Sequence, residues 1–323
     1  MKRVYIAAVL VCVCAAVFAG GKKAAPEAGK LTVQATIFAP YDFARAVAGD
    51  RINLSMLLPP GAESHSFEPT PRDIINIQNS GVFIYIGGES DAWVDRILDT
   101  LETRDIKIVR LMDVVDVVEE EIVEGMQDEE EEEAAAALEA IGAAGEEPEY
   151  DEHIWTSPQN AVRMVNAITD ALCEKDAANA PYYRQNRDAY IAKLNGLDAA
   201  FQSVVDAAKR RTIVFGDRFP FRYFADRYGL SYFAAFPGCS TETEPSAATV
   251  AFLIDKIKAE KIPVVFHIEL SNERMADTIA EETGAKKRLL HAAHNISKRD
   301  FDRGATYLEL MTANVDTLRE ALQ

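Results

Sequence analysis

Basic residues are scarce in this 323-residue chain: 34 lysines and arginines face 52 aspartates and glutamates, and the formal net charge is −18. A chain with this excess of negative charge repels phosphate backbones, so nucleic acid is excluded as an expected partner. Hydrophobic residues still make up 48% of the chain, which is enough to fill ordinary cores. The length exceeds that of one typical domain and suits two.

Motifs of common enzyme classes are also missing. The sequence has no Gly-rich phosphate loop, no Gly-x-Ser-x-Gly turn and no His-Glu-x-x-His motif. Its glutamates occur in runs, whereas a catalytic carboxylate pair requires a fixed separation between two groups. We therefore expect a binding protein and not an enzyme. A periplasmic zinc hydrolase is one alternative, in which Glu68 or Glu269 would serve as the general base.

Cysteine is rare, and two of the four cysteines, Cys12 and Cys14, lie in an apolar run over residues 4–18. This run follows two basic residues and ends at small residues, which is typical of a signal peptide. It is shorter than the roughly 20 residues that a membrane-spanning helix needs. We expect a signal peptide over residues 1–19 and export to the periplasm or to the outer face of the cytoplasmic membrane. An uncleaved anchor and a lipoprotein acylated at Cys12 or Cys14 are the alternatives.

Strand-like and helix-like segments alternate through the rest of the chain, which predicts βαβ units with mostly parallel sheets. We predict a linker over residues 20–30, an N-terminal α/β lobe over 31–180 and a C-terminal α/β lobe over 211–323. Residues 181–210 between the lobes are predicted to form one long helix. Apolar residues recur there at helical spacing, and Pro181 suits the first turn.

The alternation breaks at residues 119–149, which contain 14 acidic residues and no lysine or arginine. Because like charges repel, we expect a mobile, solvated insertion within the N-terminal lobe. A cation-collecting role and a plain charged loop are both open interpretations of this segment.

Histidine is limited to five residues, and neutral imidazole is a common ligand of zinc and its neighbours. The five are His65, His153, His267, His291 and His294. Four of them lie near predicted strand ends or loop–helix junctions, where open α/β sheets bind ligands. His267 and Glu269 share one strand face, and His267 is expected to belong to the core. Of His291 and His294, we expect one to reach an ion and the other to be structural.

Three segments together carry a resemblance to a known family. They are residues 59–69 (PPGAESHSFEP), 151–158 (DEHIWTSP) and 223–230 (YFADRYGL), with support from 244–247 and 276–284. Over residues 31–322 the chain resembles the cluster 9 metal-binding lipoproteins, the ZnuA/TroA-like substrate-binding components of zinc and manganese ABC transporters. The resemblance implies two α/β lobes, each with a mostly parallel sheet flanked by helices. One long spine helix joins the lobes, and the metal lies between them.

The resemblance also implies where the metal ligands lie. The first two family histidines carry over to His65 and His153. The third ligand, His or Glu in the family, corresponds to Asp217 if one residue is inserted. Without the insertion it corresponds to Arg218, which cannot bind a cation. The fourth falls within residues 291–294. The predicted ligand set is His65, His153, Asp217 and His294.

This donor set predicts capture of one divalent ion. We expect Zn²⁺ rather than Mn²⁺, because manganese prefers more oxygen ligands. The family implies delivery to an ABC transporter permease, and we expect a monomer. Affinity should fall below about pH 6, where histidine protonates. His291 and the oxygen donor Glu269 are reserve ligands. A manganese-binding homologue, and an adhesin that uses the acidic segment as its contact surface, are alternative functions.

Overall fold

The computed structural model describes residue 27 and residues 29–63, 67–126, 149–240 and 245–323. The predicted signal peptide, His65 and residues 127–148 of the acidic insertion lie outside this part of the chain. Within the described ranges, no helix is long and apolar enough to cross a membrane.

The first half of the chain forms a four-stranded parallel sheet in the order β2–β1–β3–β4. Its strands are β1 (Leu31–Ala35), β2 (Ile52–Met56), β3 (Val82–Tyr85) and β4 (Lys107–Arg110). Parallel strands require crossover connections. The crossovers contain helices α1 (Phe38–Ala48), α2 (Pro71–Gln78) and α3 (Ala92–Leu98). Strand β3 is buried along its whole length, as its continuous apolar run suggests.

The second half repeats this strand order as β6–β5–β7–β8, again with every pair parallel. Its strands are β5 (Thr212–Phe219), β6 (Ser231–Pro237), β7 (Val264–His267) and β8 (Lys286–Leu289). Two connecting helices precede this half, so the numbering of its own helices begins at α6. They are α6 (Arg222–Tyr228), α7 (Ala247–Glu260), α8 (Arg274–Thr283), α9 (Lys298–Asp302) and α10 (Tyr307–Leu322). Because both sheets are parallel, the loops after their strands gather at one edge of each sheet.

Two consecutive helices connect the halves: α4 (Pro158–Lys175) and the 27-residue α5 (Ala180–Asp206). At 1.5 Å per residue, α5 is about 40 Å long. It packs against α1, α4 and α10, and most of its buried side chains belong to one apolar core that runs through both halves. The predicted α/β class, the two parallel sheets and the long connecting helix are confirmed. The lobe boundaries at residues 180 and 210 stay a prediction.

Strand β5 is longer than the sequence pattern predicts. The pattern ends the strand at Phe215, because Gly216 and the two charged residues after it have low strand propensity. Pairing with β6 carries the strand on to Phe219, with a register shift between Phe215 and Arg218. Asp217 and Arg218 therefore lie within a strand, where neighbouring side chains take different directions.

The buried side of α5 fixes the second half to this helix. Phe201 is fully buried, and its ring lies 4.8 Å from that of Phe224 and 5.6 Å from that of Tyr228, both on α6. We expect Phe201→Ala to lower the free energy of unfolding by about 3–5 kcal/mol, because it leaves a cavity between α5 and α6. Urea denaturation measures the change. The exposed Ser203 on the same helix is the control, and Ser203→Ala should change stability by less than about 0.5 kcal/mol.

A buried carboxylate ties together the ends of β1 and β3. Asp91 accepts hydrogen bonds from the backbone N–H groups of Ile86 and Gly87 at 2.8 and 3.2 Å, and the Thr36 hydroxyl lies 3.5 Å away. Burial, followed by the negative charge of Glu152, raises the pKa of Asp91 to about 7. Between its ordinary pKa of 3.8 and about pH 7, Asp91 is therefore protonated in the folded protein and ionised in the unfolded chain.

This difference predicts a pH dependence of stability. Asp91 stabilises the fold fully below its ordinary pKa, and that contribution is lost as pH rises toward about 7. Asp91→Asn keeps an oxygen acceptor but cannot ionise, so stability should fall less between pH 5 and pH 7.5 in the variant than in the wild type. Urea denaturation at several pH values tests this. The exposed Asp99→Asn is the control, and equal pH slopes for wild type and Asp91→Asn would contradict the expectation.

Candidate metal centre

A cavity of about 40 Å³ lies between the two halves. Its described lining comes from the loop after β2, from the segment containing His153, and from the ends of β5 to β8. A space of this size holds a water-sized or ion-sized species, whereas pockets for organic ligands measure about 300–1,000 Å³. The cavity therefore suits an ion better than an organic substrate.

His153 comes from the first half and is fully buried at the wall of this cavity. It precedes a short 3₁₀ helix, Ile154–Thr156. Its backbone N–H donates to Asp151 Oδ1 at 2.7 Å, and its ring Nδ1 lies 3.2 Å from the same oxygen. With Nδ1 donating to the carboxylate, the lone pair of the ring belongs to Nε2, the arrangement that prepares histidine for metal binding.

Acidic groups control the protonation of His153. Burial by itself would lower the pKa of His153. The negative charges of Asp151, Glu152 and Glu120 outweigh this effect and hold the pKa above its ordinary value of 6.5. The ring is therefore more basic than an ordinary histidine, and protons compete with a metal ion for it.

His294 comes from the second half, on a loop that Glu269 organises. The carboxylate of Glu269 accepts hydrogen bonds from the backbone N–H groups of Ala292 at 2.7 Å and of His294 at 2.9 Å. Ala293 between them has a φ of 58°, in the left-handed region that a non-glycine residue rarely adopts. This conformation aims both N–H groups at one anion, which here is the Glu269 side chain.

The two histidine rings meet at the cavity. Their centres are 5.3 Å apart and their planes are nearly perpendicular, at 83°. Two imidazoles bound tetrahedrally to one zinc ion, with Zn–N distances of about 2.0–2.1 Å, have ring centres about 5 Å apart. The observed separation therefore fits two ligands of a single ion.

Close packing keeps the His153 side of the cavity narrow. A Cβ atom added at Gly238 would lie 2.9 Å from the carbonyl oxygen of Phe219 and 3.2 Å from the ring of His153. Any side chain at Gly238 would therefore displace either strand β5 or the imidazole.

The structure separates the two candidates for the third ligand. Asp217 is buried beside the cavity and is not among its described lining residues. Its carboxylate accepts from the backbone N–H groups of Arg218 at 2.9 Å and Ile268 at 3.1 Å. Arg218 lines the cavity instead, and its guanidinium lies 3.3 Å from the Glu63 carboxylate. Strand β5 passes through both residues with a register shift between Phe215 and Arg218, and it brings Arg218, not Asp217, to the described cavity wall.

The remaining candidates take supporting positions. His291 Nδ1 accepts the backbone N–H of Ala293 at 2.9 Å, and His267 Nδ1 lies 3.1 Å from the Ile268 carbonyl. Neither ring is among the described residues that line the cavity, whereas Glu269 is. His65 lies outside the described residues, so its place in the ligand set stays a prediction.

Known proteins resemble this chain over most of its length. Residues 33–321 match the family described as zinc-uptake complex component A, periplasmic (ZnuA).

The chain belongs to this family.

Among its relatives is the high-affinity zinc uptake system protein ZnuA of Bacillus subtilis, 31% identical over 91% of this chain and 88% of that protein. The zinc-binding lipoprotein AdcA of Streptococcus pneumoniae is 30% identical over 99% of this chain. The chain spans only 61% of the length of AdcA. The crystal structure of the Zn(II)-bound ZnuA-like domain of that AdcA superposes with a TM-score of 0.73. It has 28% identity and covers 91% of this chain and 99% of the domain. The predicted family and the two-lobed fold are thereby confirmed.

Two residues that line the cavity have contacts that the sequence pattern does not predict. Glu269 is predicted only as a reserve ligand, although its carboxylate shapes the His294 loop. The side-chain amide of Asn295 donates to the carbonyl oxygens of Pro59 at 2.9 Å and Ala62 at 2.8 Å, across the two halves. The available signal was the position of Glu269 after an apolar strand. No local pattern indicates the partners of Asn295.

The Glu269 contact predicts a large effect of a small change. Glu269→Gln replaces one carboxylate oxygen with an NH₂ group that cannot accept a backbone N–H, so one buried donor at Ala292 or His294 loses its partner. We expect a loss of about 1–3 kcal/mol in the free energy of unfolding, measured by urea denaturation. The exposed ion pair of Glu273 with Lys287 supplies the control, since Glu273→Gln should cost less than about 1 kcal/mol. Equal effects of the two changes would argue against the role of Glu269.

Proposed function

We propose that this protein binds a divalent transition metal ion, Zn²⁺, between its two lobes and delivers it to an ABC transporter permease. The observation that carries the proposal is the 5.3 Å separation of the His153 and His294 rings at the wall of an ion-sized cavity. The rings come from opposite halves of the chain, so an ion bound by both would hold the halves together. His65 is proposed as a further ligand of the same ion.

The chemistry of the site favours zinc over manganese. Imidazole nitrogens suit zinc, copper and nickel, whereas manganese prefers carboxylate and carbonyl oxygens. Two of the carboxylates near the imidazoles hold them in place through hydrogen bonds: Asp151 with His153, and Glu269 with the His294 loop. They strengthen the imidazoles as ligands more than they supply oxygen ligands themselves.

Delivery is the second part of the proposal. The cavity is too small for an organic substrate, and the related proteins are named for zinc binding or zinc uptake. We propose that the chain acts outside the cytoplasmic membrane as a monomer, without turnover of a substrate, and passes its ion to a membrane permease.

Zinc affinity of single histidine variants tests the binding step. We expect His153→Ala and His65→Ala each to weaken zinc binding by more than about 100-fold. Losing a group that only supports a ligand lowers metal affinity by about 10–100-fold, and losing the ligand itself should lower it further. Competition with a fluorescent zinc chelator at pH 7.5 measures the dissociation constants. In the wild type, manganese should displace zinc only at a large excess.

A histidine away from the cavity supplies the control. The His267 ring contacts the Ile268 carbonyl and is not among the described lining residues, so His267→Ala should retain the wild-type affinity. If His153→Ala kept that affinity too, the proposed binding site would be wrong. Zinc uptake by cells that carry each variant in place of the native gene then tests delivery.

A further inference from the structure

A permanent positive charge lines the proposed cation cavity. Arg218 extends from strand β5 into the cavity wall, with only 16% of its side chain exposed. Guanidinium stays protonated in proteins and has no lone pair to offer a metal ion. Arg218 therefore repels a dication bound nearby. The repulsion is weaker when an anionic side chain neutralises the guanidinium charge.

The counter-charge comes from the opposite half of the chain. Glu63 follows β2, lines the same cavity, and its Oε1 lies 3.3 Å from Arg218 Nη1. The loop that carries Glu63 is held in place by Asn295, which donates to the carbonyl oxygens of Pro59 and Ala62. The pairing of Glu63 with Arg218 is thus part of the contact between the halves, and not an isolated surface ion pair.

We propose that Arg218 sets the zinc affinity of the cavity and that Glu63 is its counter-charge, so that this pair determines how tightly the ion is held. With the halves in contact, the carboxylate neutralises the guanidinium and the ion experiences little repulsion. When the halves separate, Glu63 leaves with the first half and Arg218 stays with His294. Its charge is then no longer neutralised beside the ion, and it promotes release.

The inference rests on the proposed zinc site. It predicts that removing the charge of Arg218 and removing the charge of Glu63 change the zinc affinity in opposite directions. We expect Arg218→Gln to tighten zinc binding and to slow zinc dissociation by about tenfold or more, since a like charge is removed. Glu63→Gln should weaken binding by a similar factor, because it leaves the repulsion of Arg218 unopposed. In the Glu63→Gln background, Arg218→Gln should have a larger effect than in the wild type. Chelator competition and stopped-flow dissociation measure these changes.

Ionic strength separates an electrostatic role from a structural one. The effects of both variants should shrink between 20 mM and 500 mM salt, because added ions screen partly exposed charges. Loss of packing around Arg218 would not depend on salt in this way. Arg218→Lys, which keeps the charge, should lie closer to the wild-type affinity than Arg218→Gln does.

Another ion pair is the matched control. Arg222 on α6 pairs with Glu121 at 2.5 Å, and neither is among the described lining residues of the cavity. Arg222→Gln should leave zinc affinity unchanged.

The role of Arg218 would be overturned if Arg218→Gln bound zinc as weakly as the wild type, or more weakly. If His153→Ala still lost zinc, the proposed zinc site would remain. Should Arg218→Gln fail to fold, unchanged affinity in Glu63→Gln would overturn the proposal equally. Unchanged affinity in His153→Ala would remove the site itself.

Discussion

The buried contact of Trp155 joins the two halves of the chain at the cavity. Its indole N–H donates to the Ala292 carbonyl at 2.7 Å, and its own carbonyl accepts from the Tyr307 hydroxyl at 2.7 Å. The Trp155 ring centre lies 5.4 Å from that of His153 and 4.9 Å from that of His294. The indole therefore packs against both imidazoles, with its plane inclined at 57° to that of His153 and at 62° to that of His294. Its hydrogen bonds to the second half hold the two rings beside each other at the cavity.

Charge is distributed unequally around the two imidazoles. Each has a carboxylate behind it: Asp151 contacts His153, and Glu269 holds the His294 loop. These groups position the rings and raise their affinity for a cation. Arg218 lines the same cavity and carries the opposite charge, 3.3 Å from Glu63. Under the proposed function, this small space combines groups that would strengthen the binding of a cation with one that would limit it.

Local sequence pattern was sufficient for most of the fold. Alternating apolar strands and amphipathic helices predicted two mostly parallel sheets, and the apolar spacing over residues 181–210 predicted α5 to within a few residues. The errors occurred where pairing between distant segments outweighs local propensity. Strand β5 continues past Gly216 because β6 supplies its hydrogen-bond partners. That extension places Arg218, and not Asp217, at the cavity wall.

The sequence by itself determined the order of the elements and the family, and it included His153 and His294 among the candidate ligands, because strand alternation, helix period and family motifs are all local. The tertiary structure decided which neighbours surround those histidines. The approach of Asn295 to the loop after β2, of Glu63 to Arg218 and of Trp155 to Ala292 joins residues more than 100 positions apart. Such contacts arise only when the two sheets pack against one helix and against each other, and no periodicity along the chain encodes them.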